Sequence, residues 1–430
     1  MSKIQVMDEI LANKIAAGEV VERCASVVKE LVENSIDAES TEIKVDLIDS
    51  GVREIKVTDN GVGMDREDAI LSFSRHATSK LKNEHDLFNI NTLGFRGEAL
   101  AAISSVSEIN LKTSTGEIGT VLKVKGGKIE EVTSGDARRG TIMDVTNLFY
   151  NTPARLKHLK SLYTELANVT EYINKLALSH PDIKFTLTNN NTIVTSTDGS
   201  NNLLKAIKNI YGVDVAKKML YIEGANDDYE VSGYISLPEV NRSSRNHMIT
   251  IVNGRVVKNA ELSRAINDSY HSFKPDTRYP ITVLNINSDP SLVDVNIHPT
   301  KMDIKFSKLE ELSLLIEELI KSKIRKITLI PEVEVTPVLD NVKPDNYNVE
   351  KITYEKPKEY HYEPLNLSRV NEQEALFDEE ETVIVNDFNY EEKEKSERLP
   401  ELYPVGLVHG TYIICQNEQG MYIIDQHAAK

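Results

Sequence analysis

The chain has 430 residues, of which 40% are hydrophobic and 27% charged, with a formal net charge of −17. This length predicts two to three domains, and the composition is typical of a globular protein. No apolar run approaches the ~18 residues that a membrane span needs, the N-terminus lacks a secretory pattern, and Cys24 and Cys415 have neither disulfide-framework nor zinc-site spacing, so we expect a cytoplasmic protein.

The first part of the chain predicts a helix followed by a sheet. Residues 8–38 carry an apolar stripe at the 3.6-residue period, formed by Val27, Val28, Leu31, Val32 and Ile36. TEIKVDLID and REIKVTD then alternate polar and apolar residues, as strands do, and similar strand patterns occupy 106–113, 119–125, 128–133 and 140–146. We expect this first domain to span residues 1–204.

Residues 205–330 predict a smaller α+β domain, with strands near 217–223, 228–236, 247–253 and 279–287 and helices at 259–272 and 307–325. Residues 331–400 hold 19 Asp and Glu against 8 Lys and Arg and show no sustained period, which predicts a flexible acidic linker. The acidic charge therefore describes mainly this segment, and the remaining charge balance neither supports nor excludes a basic patch for nucleic acid. Residues 401–430 show a strand, turn, strand pattern, and we expect them to be the incomplete start of a further domain.

The polar face of the first helix presents Glu30, Asn34 and Asp37 at i, i+4 and i+7, on one stripe opposite the apolar one. A carboxylate and an amide side by side could act as a general base for water and as an oxygen ligand for Mg²⁺. Taken alone, the same spacing is also typical of a solvated helix face.

Two glycine-containing segments follow. Asp59 ends a predicted strand and opens DNGVGM, where the carboxylate could accept a hydrogen bond from an exocyclic amine such as that of adenine; a simple turn is the alternative. Gly94–Leu100 is a glycine-flanked loop that enters a helical run, whose backbone N–H groups could bind phosphates. A helix start beside glycines also occurs without a ligand. The sequence contains neither a Walker A motif nor GxGxxG, so a P-loop or Rossmann site is not expected.

ExxxNxxD, DNGVG, GFRGEAL and Gly140-Thr141, in that order, resemble the N box and glycine boxes of the GHKL ATPase superfamily. Within it, residues 13–306 resemble the MutL family of DNA mismatch-repair proteins in KIAAGEVVERCASVVKELVENSIDA, SRHATSK, LGFRGEALAAISSV, LFYNTPARLK, VNGR and VDVNIHPTKMDIKF. One departure is Cys24, where the family usually has Pro. The resemblance implies an α+β fold: a GHKL (Bergerat-type) α/β sandwich, then a ribosomal-S5-like domain, the linker, and the start of a C-terminal dimerisation domain.

The resemblance also implies residue roles in a Mg²⁺-dependent ATPase. Glu30 would activate the attacking water, Asn34 would hold Mg²⁺, and Lys301 would reach the γ-phosphate from the second domain. Asp59 and Thr141 would bind the adenine amine. The rest of the ATP site would comprise Gly61, Gly63, Met64, Ser79, Lys80, Leu93, Gly94, Phe95, Arg96, Gly97, Glu98, Ala99 and Leu100, with the segments 79–80 and 94–100 forming a lid and cradle over the phosphates.

The function implied is an ATP-driven switch whose N-terminal modules associate, engage DNA and couple the MutS mismatch sensor to a downstream nuclease or helicase. Arg255 and Lys258 could contact DNA phosphates, although solvated surface charges are the alternative. Gln373, Leu376 and Phe377 resemble a sliding-clamp peptide, and Asp425–Ala429 resembles the opening of a nuclease metal motif, but we expect no endonuclease activity from this chain. We expect a nucleoid-associated homodimer. The alternatives are another GHKL protein, such as a topoisomerase subunit or sensor kinase, and a nucleotide-binding scaffold without significant hydrolysis.

Overall fold

The computed structural model describes side chains in residues 17–18, 20–80, 92–94, 97–294 and 305–326, and backbone alone in 403–408, 412–417 and 420–425. The chain divides into two compact units, residues 1–336 and 337–430. The predicted linker 331–400, with Gln373, Leu376 and Phe377, lies outside the described residues. No helix within the described ranges is long and apolar enough to cross a membrane.

An eight-stranded sheet organises the N-terminal part of the first unit, in the order β5–β4–β3–β6–β2–β1–β7–β8. All neighbouring strands pair antiparallel except β1 and β7, which are parallel. The strand alternation has the expected effect, since Ile43, Val45 and Leu47 of β1 are all buried. The strands are β1 Glu42–Ile48, β2 Glu54–Asp59, β3 Glu108–Ser114, β4 Gly119–Lys125, β5 Lys128–Gly135, β6 Gly140–Thr146, β7 Lys184–Asn189 and β8 Thr192–Ser196.

Five helices accompany this sheet, and all but α4 contribute buried residues to its core. They are α1 Cys24–Asp37, α2 Arg66–Leu71, α3 Ala99–Ser105, α4 Pro153–His158 and α5 Leu162–Ser179. Val28 and Leu31 of α1 and Ile173 of α5 are buried in one apolar cluster with strand residues such as Ile43 and Leu111. The apolar face of α1 is therefore held by the sheet and by α5, which leaves its polar face for the site described below.

A five-stranded sheet follows, in the order β13–β12–β15–β10–β9, with β12 and β15 parallel. Its strands are β9 Met219–Ala225, β10 Tyr229–Ser236, β12 Met248–Val252, β13 Arg255–Val257 and β15 Thr282–Ser288. Two short ribbons pair β11 Asn241–Arg242 with β14 Tyr279–Pro280, and β16 Val293–Asp294 with β17 Lys305–Phe306. The helices are α6 Leu203–Tyr211, α7 Val213–Lys217, α8 Ala260–Ser269 and α9 Leu309–Arg325, and short 3-10 turns occupy Asp49–Gly51, Arg245–His247 and Pro290–Leu292.

Apolar clusters cover both faces of the five-stranded sheet, and this explains why every residue of β12 is buried. One cluster joins the sheet to α8 and α9 through residues such as Leu262 and Ile316. The other joins it to α6 and to Leu178 near the end of α5. The helix α5 therefore contributes to the cores of both sheets.

The second unit contains an antiparallel three-stranded meander, in which β19 pairs with both neighbours. Its strands are β18 Tyr403–Val408, β19 Tyr412–Asn417 and β20 Gly420–Asp425. This agrees with the strand, turn, strand pattern predicted for residues 401–430.

The α+β fold is confirmed, and the strands predicted from 106 to 287 agree with the observed strands to within about three residues. The single helix predicted over residues 8–38 is wrong in its continuity. Residues 21–23 are not helical, and Arg23 is an extended residue that caps α1, with φ −153°. Cys24 is thus the first residue of α1, the position at which Pro is favoured because its missing N–H has no helical acceptor to lose.

Candidate functional site

A cavity of about 1000 Å³ opens beside the polar face of α1. Its wall combines the end of β2, the turn that follows it, the segment 76–80, the start of α3, and α5. The structure brings most of the predicted site residues to this wall: Glu30, Asn34, Asp59, Gly63, Met64, Ser79, Lys80, Gly94, Gly97, Glu98, Ala99, Leu100 and Thr141. Phe95, Arg96 and Lys301 lie outside the described residues, and Gly61 and Leu93 do not line the cavity.

Asp59, at the end of β2, is only 5% exposed. Its Oδ2 accepts a hydrogen bond from the Ser35 hydroxyl at 2.8 Å, and its Oδ1 accepts from the backbone N–H groups of Gly61 at 3.0 Å and Thr141 at 3.1 Å. Burial raises the pKa of this carboxyl, and these hydrogen bonds oppose the rise because they favour the charged form. Asp59 is therefore a fixed, buried acceptor at the cavity wall.

The turn after Asp59 requires glycine for two reasons. Gly63 has φ +72°, and a Cβ built there would lie 2.0 Å from the Ser114 carbonyl oxygen. A Cβ at Gly61 would lie 2.5 Å from the Ala38 carbonyl oxygen. Met64 then donates its backbone N–H to Thr113 Oγ1 at 2.9 Å. The turn can pack this closely against the backbone of Ser114 and Ala38 only because these two positions carry no side chain.

The helical spacing of α1 brings Glu30, Asn34 and Asp37 to the same wall, as predicted. The Lys80 ammonium donates to Asn34 Oδ1 at 2.9 Å and to Asp37 Oδ2 at 2.5 Å. Glu30 lies 3.8 Å from the Lys29 ammonium, and its side chain is 17% exposed. Two oxygens from α1 therefore converge on one positive charge, while the Glu30 carboxylate stays within reach of the cavity.

Asp37 has a second role that sequence reasoning did not assign. Its Oδ1 accepts the Leu93 N–H at 2.8 Å, and its Oδ2 accepts the Gly94 N–H at 2.9 Å. The carboxylate thus holds the backbone that leads toward α3. A Cβ on Gly94 would lie 3.1 Å from Lys80 Nζ, so this backbone passes close to the lysine as well.

The start of α3 presents Glu98, Ala99 and Leu100 to the cavity, and the side chain of its N-cap residue, Glu98, makes no capping hydrogen bond. Gly97, just before it, has φ +62°, and a Cβ there would meet the Ala77 carbonyl oxygen at 2.6 Å. The Glu98 carboxylate lies 3.7 Å from the Arg75 guanidinium. Residues 97–100 and the segment 75–80 are therefore packed together at one side of the cavity.

The helix α5 supplies wall residues that the sequence analysis missed: Asn168, Glu171, Tyr172 and Lys175. The Tyr172 hydroxyl donates to Glu33 Oε1 at 2.6 Å, and both burial and the Glu33 carboxylate raise the pKa of Tyr172, so it remains a protonated donor. The available signal was the spacing of these four residues, i, i+3, i+4 and i+7, which places them on one face of the helix.

The two residues proposed for DNA contact lie in different surroundings. Lys258 is exposed but lines the same cavity. Arg255 is only 8% exposed, and its guanidinium donates to the Thr92 carbonyl oxygen. A contact with DNA phosphates requires an exposed charged group. The guanidinium of Arg255 is instead enclosed by protein.

This arrangement suits an anionic ligand that also carries a flat hydrogen-bonding base. The buried Asp59 offers an acceptor, the glycine turn permits close approach, and Lys80 and Lys258 supply positive charge along the wall. Within the described ranges, no group of three or more His, Cys, Asp or Glu side chains could hold a metal ion. A metal there would need oxygens from the ligand or from water.

Comparison with known proteins identifies the family of this chain. Residues 22–149 match the family model of histidine kinase-, DNA gyrase B- and HSP90-like ATPases, and residues 207–325 match that of the DNA mismatch repair protein C-terminal domain. DNA mismatch repair protein MutL of Anoxybacillus flavithermus is 49% identical over all of this chain and 74% of its own length. The corresponding Listeria monocytogenes protein is 48% identical over 99% of this chain and 72% of its own length. The chain belongs to the MutL family.

The MutL family assignment accounts for both sheets as parts of a mismatch-repair ATPase. A crystal structure of the N-terminal domain of a DNA repair protein is similar to 73% of this chain, with 26% identity, 98% of its own length covered and a TM-score of 0.63. The Aquifex aeolicus MutL ATPase domain complexed with ADP covers 72% of this chain and 100% of its own length, at 24% identity and a TM-score of 0.52, and supports the fold. Residues 405–430 match the MutL C-terminal dimerisation domain. These matches favour a MutL protein over the topoisomerase and kinase alternatives.

Proposed function

We propose that this chain binds ATP in the cavity beside α1 and hydrolyses it slowly, and that the nucleotide state controls its action in mismatch repair. The observation that carries the proposal is the pairing of a buried acceptor, Asp59, with a carboxylate and an amide, Glu30 and Asn34, on the wall of one cavity. In this arrangement Asp59 accepts a hydrogen bond from the adenine amine. Gly61, Gly63, Met64 and Thr141 form the surface around the base.

The phosphates would extend along the wall toward the segment 79–80 and the start of α3. Lys80 and Ser79 supply polar contacts, and the segment from Leu93 to Leu100, including Phe95 and Arg96, forms the rest of the cradle. Because Asp37 already accepts the N–H groups of Leu93 and Gly94, the N–H donors to the phosphates would be those at the start of α3, residues 97–100. Glu30 accepts a proton from the attacking water and holds that water for in-line attack. Lys301 offsets charge at the γ-phosphate, and it belongs to a segment outside the described residues.

The donor set on α1 fits Mg²⁺, which prefers hard oxygen ligands. Asn34 Oδ1 and Asp37 Oδ2 already converge on one cation, the Lys80 ammonium. Asn34 would hold the ion, and Mg²⁺ would supply charge neutralisation at the phosphates. Lys80 must then leave Asn34, which frees its ammonium for the phosphate oxygens.

The wider role that we propose is that of a switch. ATP binding promotes association of two N-terminal modules, and that state engages DNA and couples MutS to a downstream nuclease or helicase. We assign residues 1–204 to the ATP-binding domain, 205–330 to the transducer domain, 331–400 to the linker and 401–430 to the dimerisation domain, which supports a homodimer. Gln373, Leu376 and Phe377 remain candidates for sliding-clamp contact, and alanine at Leu376 and Phe377 with unchanged clamp binding would discard that role.

The first experiment compares steady-state ATP hydrolysis and ATP binding by the chain and its Glu30→Ala variant. We expect hydrolysis to disappear while binding survives, because Glu30 acts on the water rather than on the base. Glu67→Ala is the matched control, since Glu67 is exposed on α2 and lies off the cavity wall. Equal hydrolysis in both variants would mean that Glu30 is not the base. Binding without any hydrolysis in the unmodified chain would favour the scaffold alternative, and no binding would remove the proposal.

A further inference from the structure

Arg255 begins β13, the edge strand of the five-stranded sheet, yet its charged group is buried. The guanidinium donates to the carbonyl oxygen of Thr92, which belongs to the backbone entering the nucleotide cavity. This hydrogen bond links an edge strand of one sheet to a segment beside the other sheet. The same arginine is therefore structurally adjacent to the ATP site although it lies 163 residues from Thr92 in sequence.

Residues 92–94 are held from two sides. Asp37, the last residue of α1, accepts the N–H groups of Leu93 and Gly94 with its two carboxylate oxygens. Arg255 binds the preceding carbonyl oxygen, and the Thr92 hydroxyl closes the segment by donating to the Gly94 carbonyl oxygen at 2.9 Å. Donors and acceptors of three successive residues are thus oriented by one carboxylate and one guanidinium.

The charges around Arg255 explain how a buried guanidinium is tolerated. A buried charge is costly unless opposite charge and hydrogen bonds compensate for it. Burial lowers the pKa of Arg255, whereas the carboxylates of Glu33 and Asp37 oppose this, so both carboxylates are near enough to compensate. Glu33 in turn accepts a hydrogen bond from the hydroxyl of Tyr172, which lies on α5. The strand β13 also packs on α5. The packing of β13 therefore places the arginine among the acidic residues of α1.

We propose that Arg255 is a positioning residue for the ATP site, which ties β13 of the transducer sheet to residues 92–94 and so sets the Leu93 and Gly94 amides against Asp37. The assignment rests on the proposed ATPase function for its kinetic consequence. It replaces direct contact of Arg255 with DNA phosphates. Through this contact, a change in the placement of the transducer sheet reaches the nucleotide site without passing through Lys301.

The test uses the full chain and follows amide hydrogen exchange at residues 92–94 without nucleotide. Arg255→Met removes the donor and the charge, and we expect exchange at Leu93 and Gly94 to accelerate by about tenfold or more, because a hydrogen bond to a charged group is lost. Arg255→Lys keeps the charge and should recover part of the protection. Arg264→Met is the control, since Arg264 is exposed on α8 of the same sheet domain.

ATP kinetics and core exchange separate positioning from general destabilisation. We expect Arg255→Met to lower kcat by about tenfold, in line with the loss of one charged hydrogen bond, while protection of the buried β12 amides is retained. Protection lost equally in β12 and in residues 92–94 would indicate a purely structural role and overturn the proposal. If Arg255→Met does not fold, Arg255→Lys carries the test.

Unchanged exchange at residues 92–94 in a folded variant would also overturn the assignment, and weaker DNA binding in that variant would return Arg255 to a DNA role. The exchange measurement needs no nucleotide, so its outcome is independent of the hydrolysis measured with Glu30→Ala. Failure of the positioning role and failure of the ATPase proposal are therefore distinguishable.

Discussion

Replacing Asp59 by Asn should reduce ATP binding without breaking the hydrogen bonds inside the protein. The Asn Oδ1 can still accept the N–H groups of Gly61 and Thr141, which now bond to Asp59 Oδ1 at 3.0 and 3.1 Å. The amide nitrogen then replaces Oδ2, and the Ser35 hydroxyl can accept from it once its single hydrogen turns to the Leu31 carbonyl oxygen, 3.2 Å away. The same nitrogen would also face the adenine amine. Two N–H donors would then be opposed at the position where the Asp59 oxygen now offers an acceptor.

The expected loss in affinity follows from that one contact. A hydrogen bond to a charged group contributes about 1.5–3 kcal/mol, which corresponds to a roughly 10- to 150-fold weaker Kd for ATP. Meeting another donor adds to this loss. Nucleotides whose base lacks the amine should lose much less affinity, because they do not make the contact that Asp59→Asn removes.

Protein stability should change in the opposite direction above the folded-state pKa of Asp59. Burial raises that pKa, so the folded state binds the proton more tightly than the unfolded state. Stability linked to this group is therefore highest below the unfolded pKa and falls as the pH rises through the folded pKa. Asn carries no charge, so the stabilisation by Asp59→Asn should be largest above the folded pKa and should shrink as the pH falls.

Two assays decide this prediction. Isothermal titration with ATP measures the affinity, and urea unfolding at pH 5 and pH 8 measures the free energy of unfolding. Ser35→Ala is a useful companion, since it removes one hydrogen bond to Asp59 and keeps the charge. ATP affinity within threefold of the unmodified chain would refute the placement of adenine at Asp59. A stability difference that grows toward low pH would refute the buried-charge argument.

Three further substitutions test other parts of the same domain. Gly63→Ala should weaken ATP binding at least about tenfold by titration, because its Cβ would lie 2.0 Å from the Ser114 carbonyl oxygen, and normal affinity would contradict the need for a bare turn. Tyr172→Phe should cost about 1.5–3 kcal/mol in urea unfolding, since Glu33 loses a 2.6 Å hydrogen bond; an unchanged midpoint would mean that the contact contributes little. Leu111→Ala, in the core of the larger sheet, should destabilise by about 2–5 kcal/mol with ATP affinity largely kept in the folded fraction, whereas a loss under 1 kcal/mol would argue against close packing there.

Local periodicity was enough to predict the elements that line the cavity beside α1. The alternation around Ile43 and Val45 specified an inward face for β1, and the next strand, β2, ends at Asp59, directly before the glycine turn. The helical period placed Glu30, Asn34 and Asp37 on one stripe before any tertiary contact was known. These predictions held because each depends on spacing within one element.

The partners of those residues could not be predicted in the same way. Lys80 and Asp37 are 43 residues apart, and Glu33 and Tyr172 are 139 apart, so their hydrogen bonds depend on how the segments pack. The role of Asp37 in holding the Leu93 and Gly94 amides was missed for this reason. Residue types indicated which groups could bind, whereas the packing of α1 against α5 determined which ones meet.

The burial of Arg255 is the clearest example of a feature that neighbouring residues in the sequence do not predict. An arginine after an Asn-Gly turn is ordinarily expected in solvent, because its hydration is lost on burial. Its burial becomes favourable only after β13 lies on α5 and the carboxylates of Glu33 and Asp37 come within electrostatic reach. The compensation is reciprocal, since Arg255 adds positive charge near two carboxylates that are also paired with Lys29 and Lys80. The five-stranded sheet therefore stabilises the charge arrangement of α1 beside the candidate site.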